Sequence, residues 1–350
     1  MIEPISLRLL NRQGKFALDL SPYLDRWERS IRLQGGFWIG SLQMEGDTTQ
    51  LSDLHYSILG WEIEERAGGE TTWEGIIYEM DLAAAGGTRR LSLDYLANAV
   101  KAAYIDESNV AGETGWATDD RSIGLYGRKE EIITLDNAST TNAEALRDAY
   151  LLQNAWPWPR PVRVGGRQGP AALTIRACGW VFTANWRYTT TDDGGTGPIS
   201  DWIRSIVATD CEFISEGKIE SNSLQIKRAL SVPTRAWDLM LQLAELGDGS
   251  WPWRIWVDVG RRLYYRRLDT SPSYLLREDG IHDLGGGHQA VLPYRARPGI
   301  LRDAVYPVRR GGPANPFLQD GRDLLIEEVQ VRGGELILKP ADFDPLEVAL

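Results

Sequence analysis

Few residues in this chain combine the type and the spacing that chemistry at neutral pH requires. Histidine is the usual proton carrier and metal ligand near pH 7, and the chain has three, His55, His282 and His288. None lies in a recognisable motif, and no third ligand accompanies His282 and His288 at a metal-binding spacing. The sequence therefore predicts no metal site and no cofactor, and we expect a protein that is not an enzyme.

Nucleophiles and phosphate-binding loops are equally scarce. Residues 285–287 are glycines, but they lack the lysine and hydroxyl residue of a phosphate-binding loop. No Gly-x-Ser-x-Gly elbow presents a serine. The two cysteines, Cys178 and Cys211, have no paired metal spacing, and we interpret both as buried apolar side chains.

Two pairs of adjacent carboxylates keep a hydrolase open as an alternative. A glycoside hydrolase uses two carboxylic acids, and the candidate pairs are Asp119-Asp120 and Asp192-Asp193. Both pairs lie in loops rich in Gly, Thr and Asp, where aspartate commonly accepts turn hydrogen bonds. We therefore interpret them first as turn residues.

Aromatic and basic residues favour binding over catalysis. Four of the 14 tryptophans lie beside prolines in two Trp-Pro-Trp triplets, and aromatic residues are enriched at protein interfaces. A hairpin rich in arginine follows the second triplet. The candidate interface residues are Trp156, Trp158, Trp251, Trp253, Arg261, Arg262, Arg266 and Arg267.

Charge is distributed unevenly along the chain. The net charge is −11, which disfavours tight binding to nucleic acid. Between Asp53 and Asp81 eight acids accompany Arg66 as the sole basic residue. We hypothesise that this acidic stretch meets the basic hairpin across a subunit boundary.

The elements that position these residues are mostly short strands. Alternating apolar residues from Trp61 onward predict a hairpin that turns at residues 67–69, with its carboxylates directed outward into solvent. We predict that Ser92 then caps a helix with one apolar face, formed by Leu93, Leu96 and Val100. Further strand-like segments lie at residues 5–10, 15–20, 30–33 and 37–44.

Three later helices are also predicted. The first has the capping-box spacing of Thr141 and Glu144, and its apolar side is formed by Ala145, Leu146, Ala149, Tyr150 and Leu152. In the second, apolar residues recur at i, i+3, i+4 and i+7 from Ile199. The third opens at Pro233 and ends at Gly247. Hairpins are predicted over residues 254–268 and around Gly333-Gly334.

These elements predict an α+β, β-rich fold of several small antiparallel barrel or sandwich domains with inserted short helices. The predicted domains are a barrel-like β domain (1–99), a second β domain with one helix (100–190), a small α+β domain (191–269) and a C-terminal β domain (270–350). No apolar run approaches the ~20 residues of a membrane span, and the N-terminus shows no secretion signal.

The order of several segments is similar to that in a known family. GGFWIGSL, WEIEERAGG, WEGIIYEMDL, RRLSLDYLANAVKAAY, RSIGLYGRKEEIITL and PTRAWDLMLQLAELGDGSWPWRIWVDVGRRLYYRRL occur in this succession. The succession resembles tail proteins of long-tailed bacterial viruses, particularly the baseplate hub, tail-tip and distal tail group, over most of residues 1–270.

The resemblance implies barrel domains related to the tail-tube fold. It also implies a homo-oligomer, a trimer or alternatively a hexamer, around a channel through which DNA passes without specific binding. Implied partners are the tail tube and other baseplate or tail-fibre proteins, and the implied location is the virion tail after assembly in the host cytoplasm. Two alternatives stay open: a carbohydrate- or receptor-binding tail protein that uses exposed tryptophans as sugar platforms, and the glycoside hydrolase.

Overall fold

Short strands dominate the chain, as its many predicted turns require. The structure is a computed structural model that describes residues 5–84, 86–165, 170–189, 194–228, 230, 232–249, 253–268, 271, 273–277, 280–284, 295–303, 323–333 and 335–341. Its α-helices are α1 (Thr48–Ser57), α2 (Asp120–Tyr126), α3 (Thr140–Asn154), α4 (Ile199–Asp210) and α5 (Ala236–Leu246). Within the described ranges, no helix has the length and apolarity needed to cross a lipid bilayer.

The strands follow one another at short intervals. Those of the first half are β1 (Ile5–Leu10), β2 (Phe16–Asp19), β3 (Trp27–Arg32), β4 (Gly35–Gly46), β5 (Glu62–Ala67), β6 (Glu70–Ala84), β7 (Gly87–Ser92), β8 (Ala99–Ile105), β9 (Ala111–Glu113), β10 (Ala117–Thr118), β11 (Glu130–Asp136) and β12 (Arg160–Val164). Those of the second half are β13 (Ala171–Cys178), β14 (Thr196–Pro198), β15 (Ser215–Ile219), β16 (Gln225–Lys227), β17 (Trp253–Asp258), β18 (Arg262–Arg267), β19 (Tyr274–Arg277), β20 (Gly280–Asp283), β21 (Gly299–Asp303), β22 (Asp323–Arg332) and β23 (Glu335–Pro340).

The main sheet is built around β13, which lies between β4 and β6. It pairs antiparallel with both, so that Ile175 lies opposite Leu42 on one side and Met80 on the other. Beyond β6 the sheet continues through β5 and β1 to β2. Beyond β4 it continues through β3 to β22 near the C-terminus. Residues from the start, middle and end of the chain therefore share one sheet, and the division into four domains stays a prediction.

Large aromatic side chains fill the core beneath this sheet. The rings of Trp27 and Trp73 meet edge to face with centroids 5.3 Å apart, and both side chains are buried. A Cβ atom at Gly40 would lie 2.2 Å from the Trp27 ring. The close packing of Trp27 against β4 therefore requires glycine at this position.

Two smaller layers flank the main sheet. In one, β8 pairs with β9 and β10 on one side and runs parallel to β11 on the other, and α3 packs Ala143 against Ala102 and Ala138. In the other, α4 and α5 pack against each other and against β15 and β17 respectively. Their apolar faces are buried, as predicted from their helical spacing.

Most of the predicted elements are confirmed. The α+β, β-rich class is correct, whereas the described strands form no closed barrel. The hairpin of β5 and β6 turns at Gly68 and Gly69, which both have positive φ. The predicted capping box of Thr141 and Glu144 is wrong, because helix α3 is capped two residues earlier by Ser139, whose hydroxyl accepts the Asn142 N–H at 3.3 Å. The cysteines are buried and unpaired, as expected, and helix α1 was not predicted although Asp47 caps it.

The helix predicted after Ser92 is wrong. Ser92 ends β7, and a turn leads directly to β8. The Leu93 N–H donates to the Tyr78 carbonyl at 2.7 Å, and the Lys129 ammonium donates to the Leu93 carbonyl at 2.5 Å. These long-range bonds satisfy the backbone groups that a helix would have used, while Leu93 and Leu96 are still buried.

Candidate interaction surface

The carboxylates of β5 and β6 do not form the predicted solvated face. Glu65 forms an ion pair with Arg29 of β3, and both side chains are completely buried. Glu62, Glu74 and Glu79 are each less than 10% exposed. The prediction of outward carboxylates is wrong because other parts of the chain cover this hairpin and bring arginines to its acids.

One group of these acids lies on β6. Two nitrogens of Arg90 donate to the two carboxylate oxygens of Asp81, each at 2.8 Å. Arg176 of β13 donates to Asp81 at 3.0 Å and also pairs with Glu79. Burial alone would raise the pKa of Asp81, but the hydrogen bonds from the two arginines outweigh it and lower the pKa. These ion pairs therefore connect β6 to its neighbours β7 and β13.

Arg261, a predicted interface residue, is part of a second group of this kind. It lies at the turn between β17 and β18 with φ of 60°. Its guanidinium donates to Glu62 at 2.6 Å and lies 3.7 Å from the centre of the Trp180 ring, and its backbone N–H donates to Glu74 at 2.9 Å. Burial raises the pKa of Glu74 to about 7, although backbone N–H groups oppose the shift. The acidic stretch thus meets the basic hairpin within one chain, and a contact between subunits stays a prediction.

The other three predicted arginines lie on the outside of β18. Arg262, Arg266 and Arg267 are all exposed. The Arg266 guanidinium lies 5.1 Å from the centre of the Trp256 ring, and Arg262 is paired in register with Asp258. Because Arg261 is held internally, these three remain the accessible basic residues of the predicted set.

The two Trp-Pro-Trp triplets differ in exposure. Trp156 is 39% exposed and Trp158 is 51% exposed, as predicted. Trp253 is only 6% exposed and stacks on Tyr265 with ring centroids 4.7 Å apart, so the expectation of an exposed ring is wrong there. Trp251 lies outside the described residues.

The acid pair Asp119-Asp120 has a structural role in the loop before α2. Asp119 caps α2 by accepting the Ser122 N–H at 2.9 Å, and its other oxygen accepts the Trp156 indole N–H at 2.9 Å. Asp120 accepts a hydrogen bond from the Thr118 hydroxyl at 3.1 Å. The turn interpretation of this pair is therefore confirmed, and Asp192-Asp193 lies outside the described residues.

Two of the three histidines lie in the described part of the chain. His55 and His282 are both buried, and His288 lies outside the described residues. Across the described part of the chain, no group of three or more His, Cys, Asp or Glu side chains is arranged to hold a metal ion.

Helix α3 directs its apolar side to solvent. Leu146 is 50% exposed and Leu152 is 85% exposed, and Ala145 and Ala149 are exposed as well. The buried residue of this helix is Ala143. The prediction that Ala145, Leu146, Ala149, Tyr150 and Leu152 form the packed apolar side of α3 is therefore wrong, because four of these side chains face solvent and Tyr150 is half-buried.

This uncovered region continues beyond the helix. Trp158 and Tyr95 enclose the Arg160 guanidinium, which lies 4.6 Å and 3.9 Å from the two ring centres. Val162 and Val164 of β12 are 53% and 85% exposed. We call the whole region the α3–β12 surface, and its members are Tyr95, Leu146, Leu152, Trp156, Trp158, Arg160, Val162 and Val164.

Backbone contacts connect the elements that carry the α3–β12 surface. The Asn154 carbonyl at the end of α3 accepts the N–H of Ala97, two residues after Tyr95, at 2.9 Å. Beyond the loop, β12 pairs antiparallel with β7. Exposed apolar side chains on neighbouring elements are typical of binding sites for other proteins.

The protein has a β-rich α+β fold. Its exposed aromatic, apolar and basic side chains are of the types that bind other molecules. No protein-family model and no curated protein sequence matches the chain. Its structure is similar to that of a 43 kDa tail protein of prophage MuSo2 from Shewanella oneidensis, with a TM-score of 0.45 and 8% sequence identity over 99% of this chain and 98% of that chain. It is also similar to a tail protein from Neisseria meningitidis MC58, with a TM-score of 0.46 and 8% identity over 98% and 97% of the two chains. Because both TM-scores are below 0.5, conclusions about function depend on the residues of this chain.

Proposed function

We propose that this protein is a structural component of the tail tip or baseplate of a long-tailed bacterial virus. In this proposal it is hub-like, assembles as a homotrimer around the DNA exit channel, and joins the tail tube to the distal tail parts. It is assembled in the host cytoplasm and ends in the virion tail. The sequence resemblance over residues 1–270 is the first support.

The observation that carries the proposal is the uncovered α3–β12 surface. Leu152 and Val164 are each 85% exposed, and full burial of such a side chain contributes roughly 1.5–3 kcal/mol. A helix whose apolar side faces water gains little hydrophobic stabilisation from contacts within its own chain. A partner that covers this surface would recover that free energy, which supports assembly as the role of the surface.

The charge distribution is consistent with the same function. Glu62, Glu65 and Asp81 are paired with arginines of the same chain, so they hold strands together. The net charge of −11 for the whole chain would let DNA pass without the counterion release that drives tight binding.

The test is the molar mass of the purified protein by light scattering, combined with negative-stain images. We expect a closed ring with a central opening for the wild type, and monomers for the double variant Leu152→Glu/Val164→Glu. Val232→Glu is the matched control, because Val232 is 64% exposed outside the α3–β12 surface. A wild-type monomer that also fails to bind isolated tail tubes would contradict the proposal.

A further inference from the structure

A groove opens where the main sheet, α2 and the β17–β18 turn meet. Its volume is about 590 Å³, which lies within the range of sites for small molecules. The residues that border it come from the β1–β2 turn, the start of β5, α2, the loop before β15 and Arg261. The groove is thus formed by segments distant in sequence.

Aromatic side chains form much of the groove wall, and they include Trp61, Tyr126, Trp180 and Phe213. Phe213 lies close against Gly127, which has φ of 85°. A Cβ atom on residue 127 would lie 2.4 Å from the Phe213 ring. Trp61 and Phe213 are half-buried, so part of each side chain is accessible to a ligand.

Arg12 supplies positive charge at the edge of this wall. Its Nη2 donates to the Leu59 carbonyl at 2.5 Å, and its guanidinium lies 5.1 Å from the centre of the Tyr126 ring. Among the described residues it has no carboxylate partner, whereas Arg261 in the same groove pairs with Glu62. The Arg12 side chain is exposed, so its guanidinium is accessible to a ligand in the groove.

Uncharged and acidic groups complete the lining. Glu212 accepts the Arg128 backbone N–H at 3.0 Å, which leaves acceptor capacity on its carboxylate. Gln13 is exposed beside Arg12. Aromatic walls that pack against C–H groups, with nearby groups that donate to and accept from hydroxyls, fit the chemistry of a sugar ring.

We propose that this groove binds a carbohydrate that carries a carboxylate. The planar guanidinium of Arg12 matches the two oxygens of a carboxylate, the aromatic wall packs against the sugar rings, and Glu212 and Gln13 bind hydroxyls. The groove residues differ from the members of the α3–β12 surface, although Tyr126 of the groove packs edge to face on Trp156 of that surface with ring centroids 6.2 Å apart.

The experiment compares two disaccharides by calorimetry with the full chain. Cellobiouronic acid carries the carboxylate, and cellobiose is its neutral counterpart. A hydrogen bond to a charged group contributes enough free energy for about a tenfold difference in affinity or more. We expect the wild type to prefer cellobiouronic acid by at least that factor.

Variants test the role of Arg12. Arg12→Met is expected to weaken binding of cellobiouronic acid about tenfold or more and so remove the preference, while Arg262→Met on the exposed side of β18 keeps it. If circular dichroism shows that Arg12→Met does not fold, Arg12→Lys replaces it. Lysine retains the charge without the planar guanidinium and should reduce the preference.

No binding of cellobiouronic acid by the wild type, or equal affinity for both sugars, would overturn the proposal. The molar mass of each variant is measured in parallel, so that a loss of assembly is distinguished from a loss of sugar binding.

Discussion

Hairpin β5–β6 and helix α3 depart from their sequence patterns in opposite directions. The hairpin has carboxylates at positions predicted to face solvent, yet Glu65 is completely buried. The helix has an apolar side typical of a core helix, yet Leu152 is 85% exposed. The comparison shows that a periodic pattern defines an element and its two faces, while distant segments decide which face is covered.

The covering segments can be named for the hairpin. Arg29 reaches Glu65 across 36 residues of sequence, Arg176 reaches Glu79 across 97, and Arg261 reaches Glu62 across 199. For α3, the packed contact is Ala143 against the β8 layer. Helix α4 shows the covered alternative, because it buries Ile199, Trp202, Ile203 and Ile206.

Removal of one buried charge should have the largest effect. Arg29→Met leaves Glu65 as an uncompensated buried carboxylate, which costs roughly 3–5 kcal/mol of unfolding free energy. Urea denaturation measures the loss. The double variant Arg29→Met/Glu65→Leu should regain most of it, and a single-variant loss below about 1 kcal/mol would contradict the internal role of the pair.

The two helices should differ when a large apolar side chain is truncated. Ile203→Ala in α4 opens a cavity and is expected to cost roughly 2–5 kcal/mol. Leu152→Ala in α3 should change the unfolding free energy of the monomer by less than about 0.5 kcal/mol. The measurement is denaturation at low protein concentration, where monomers predominate. Equal costs for the two variants would show that the outer side of α3 is covered within the chain.

The buried acid Glu74 should make stability depend on pH. Its pKa is raised to about 7, so between pH 4.5 and 7 the native state binds a proton that the unfolded state has lost. Its favourable contribution is therefore present at low pH and is lost as the pH rises through 7. Glu74→Gln should stabilise the protein at pH 8 by roughly 2 kcal/mol, with little difference near pH 4.5.

The control for this pH effect is Glu144→Gln on the exposed side of α3. It should retain the pH dependence of the wild type when unfolding is followed from pH 5 to 8. A Glu74→Gln variant with the same pH profile as the wild type would show that the carboxylate is not buried in solution.

The smallest difference is expected within the basic hairpin. Arg261→Met removes hydrogen-bonded contact with Glu62 and should cost about 1 kcal/mol, because the arginine is partly exposed and solvent screens the pair. Arg262→Met should leave thermal stability unchanged within experimental error. If both variants have the same stability, the contact of Arg261 with Glu62 does not stabilise the packing of the β17–β18 hairpin against the sheet.

Much of the fold was predictable because its signals are local. Alternation defined β1, β4 and the β5–β6 hairpin, and helical spacing defined α4. The helix after Ser92 could not be excluded, because the competing bonds to Leu93 come from Tyr78 and Lys129, which are distant in sequence.

The candidate surface was predictable only in part, for the same reason. Proline neighbours correctly indicated that Trp156 and Trp158 are exposed, but Trp253 is buried by stacking on Tyr265. Tyr95 and Arg160 could not be predicted as members of the surface, because they come together only through a tertiary contact. No sequence pattern indicated that Arg12 is a binding residue, because its position beside Tyr126 depends on how α2 packs.

The central position of β13 has a consequence for synthesis on the ribosome. Strands β4 and β6 emerge well before Ala171–Cys178, the strand that fills the space between them. Until that segment leaves the exit tunnel, both edges expose unpaired backbone groups to any strand that approaches. A nascent chain that stalls before Ala171 is therefore an aggregation-prone fragment and not a smaller version of the protein. A chaperone that shields these two edges would act after β6 has emerged and before β13 does.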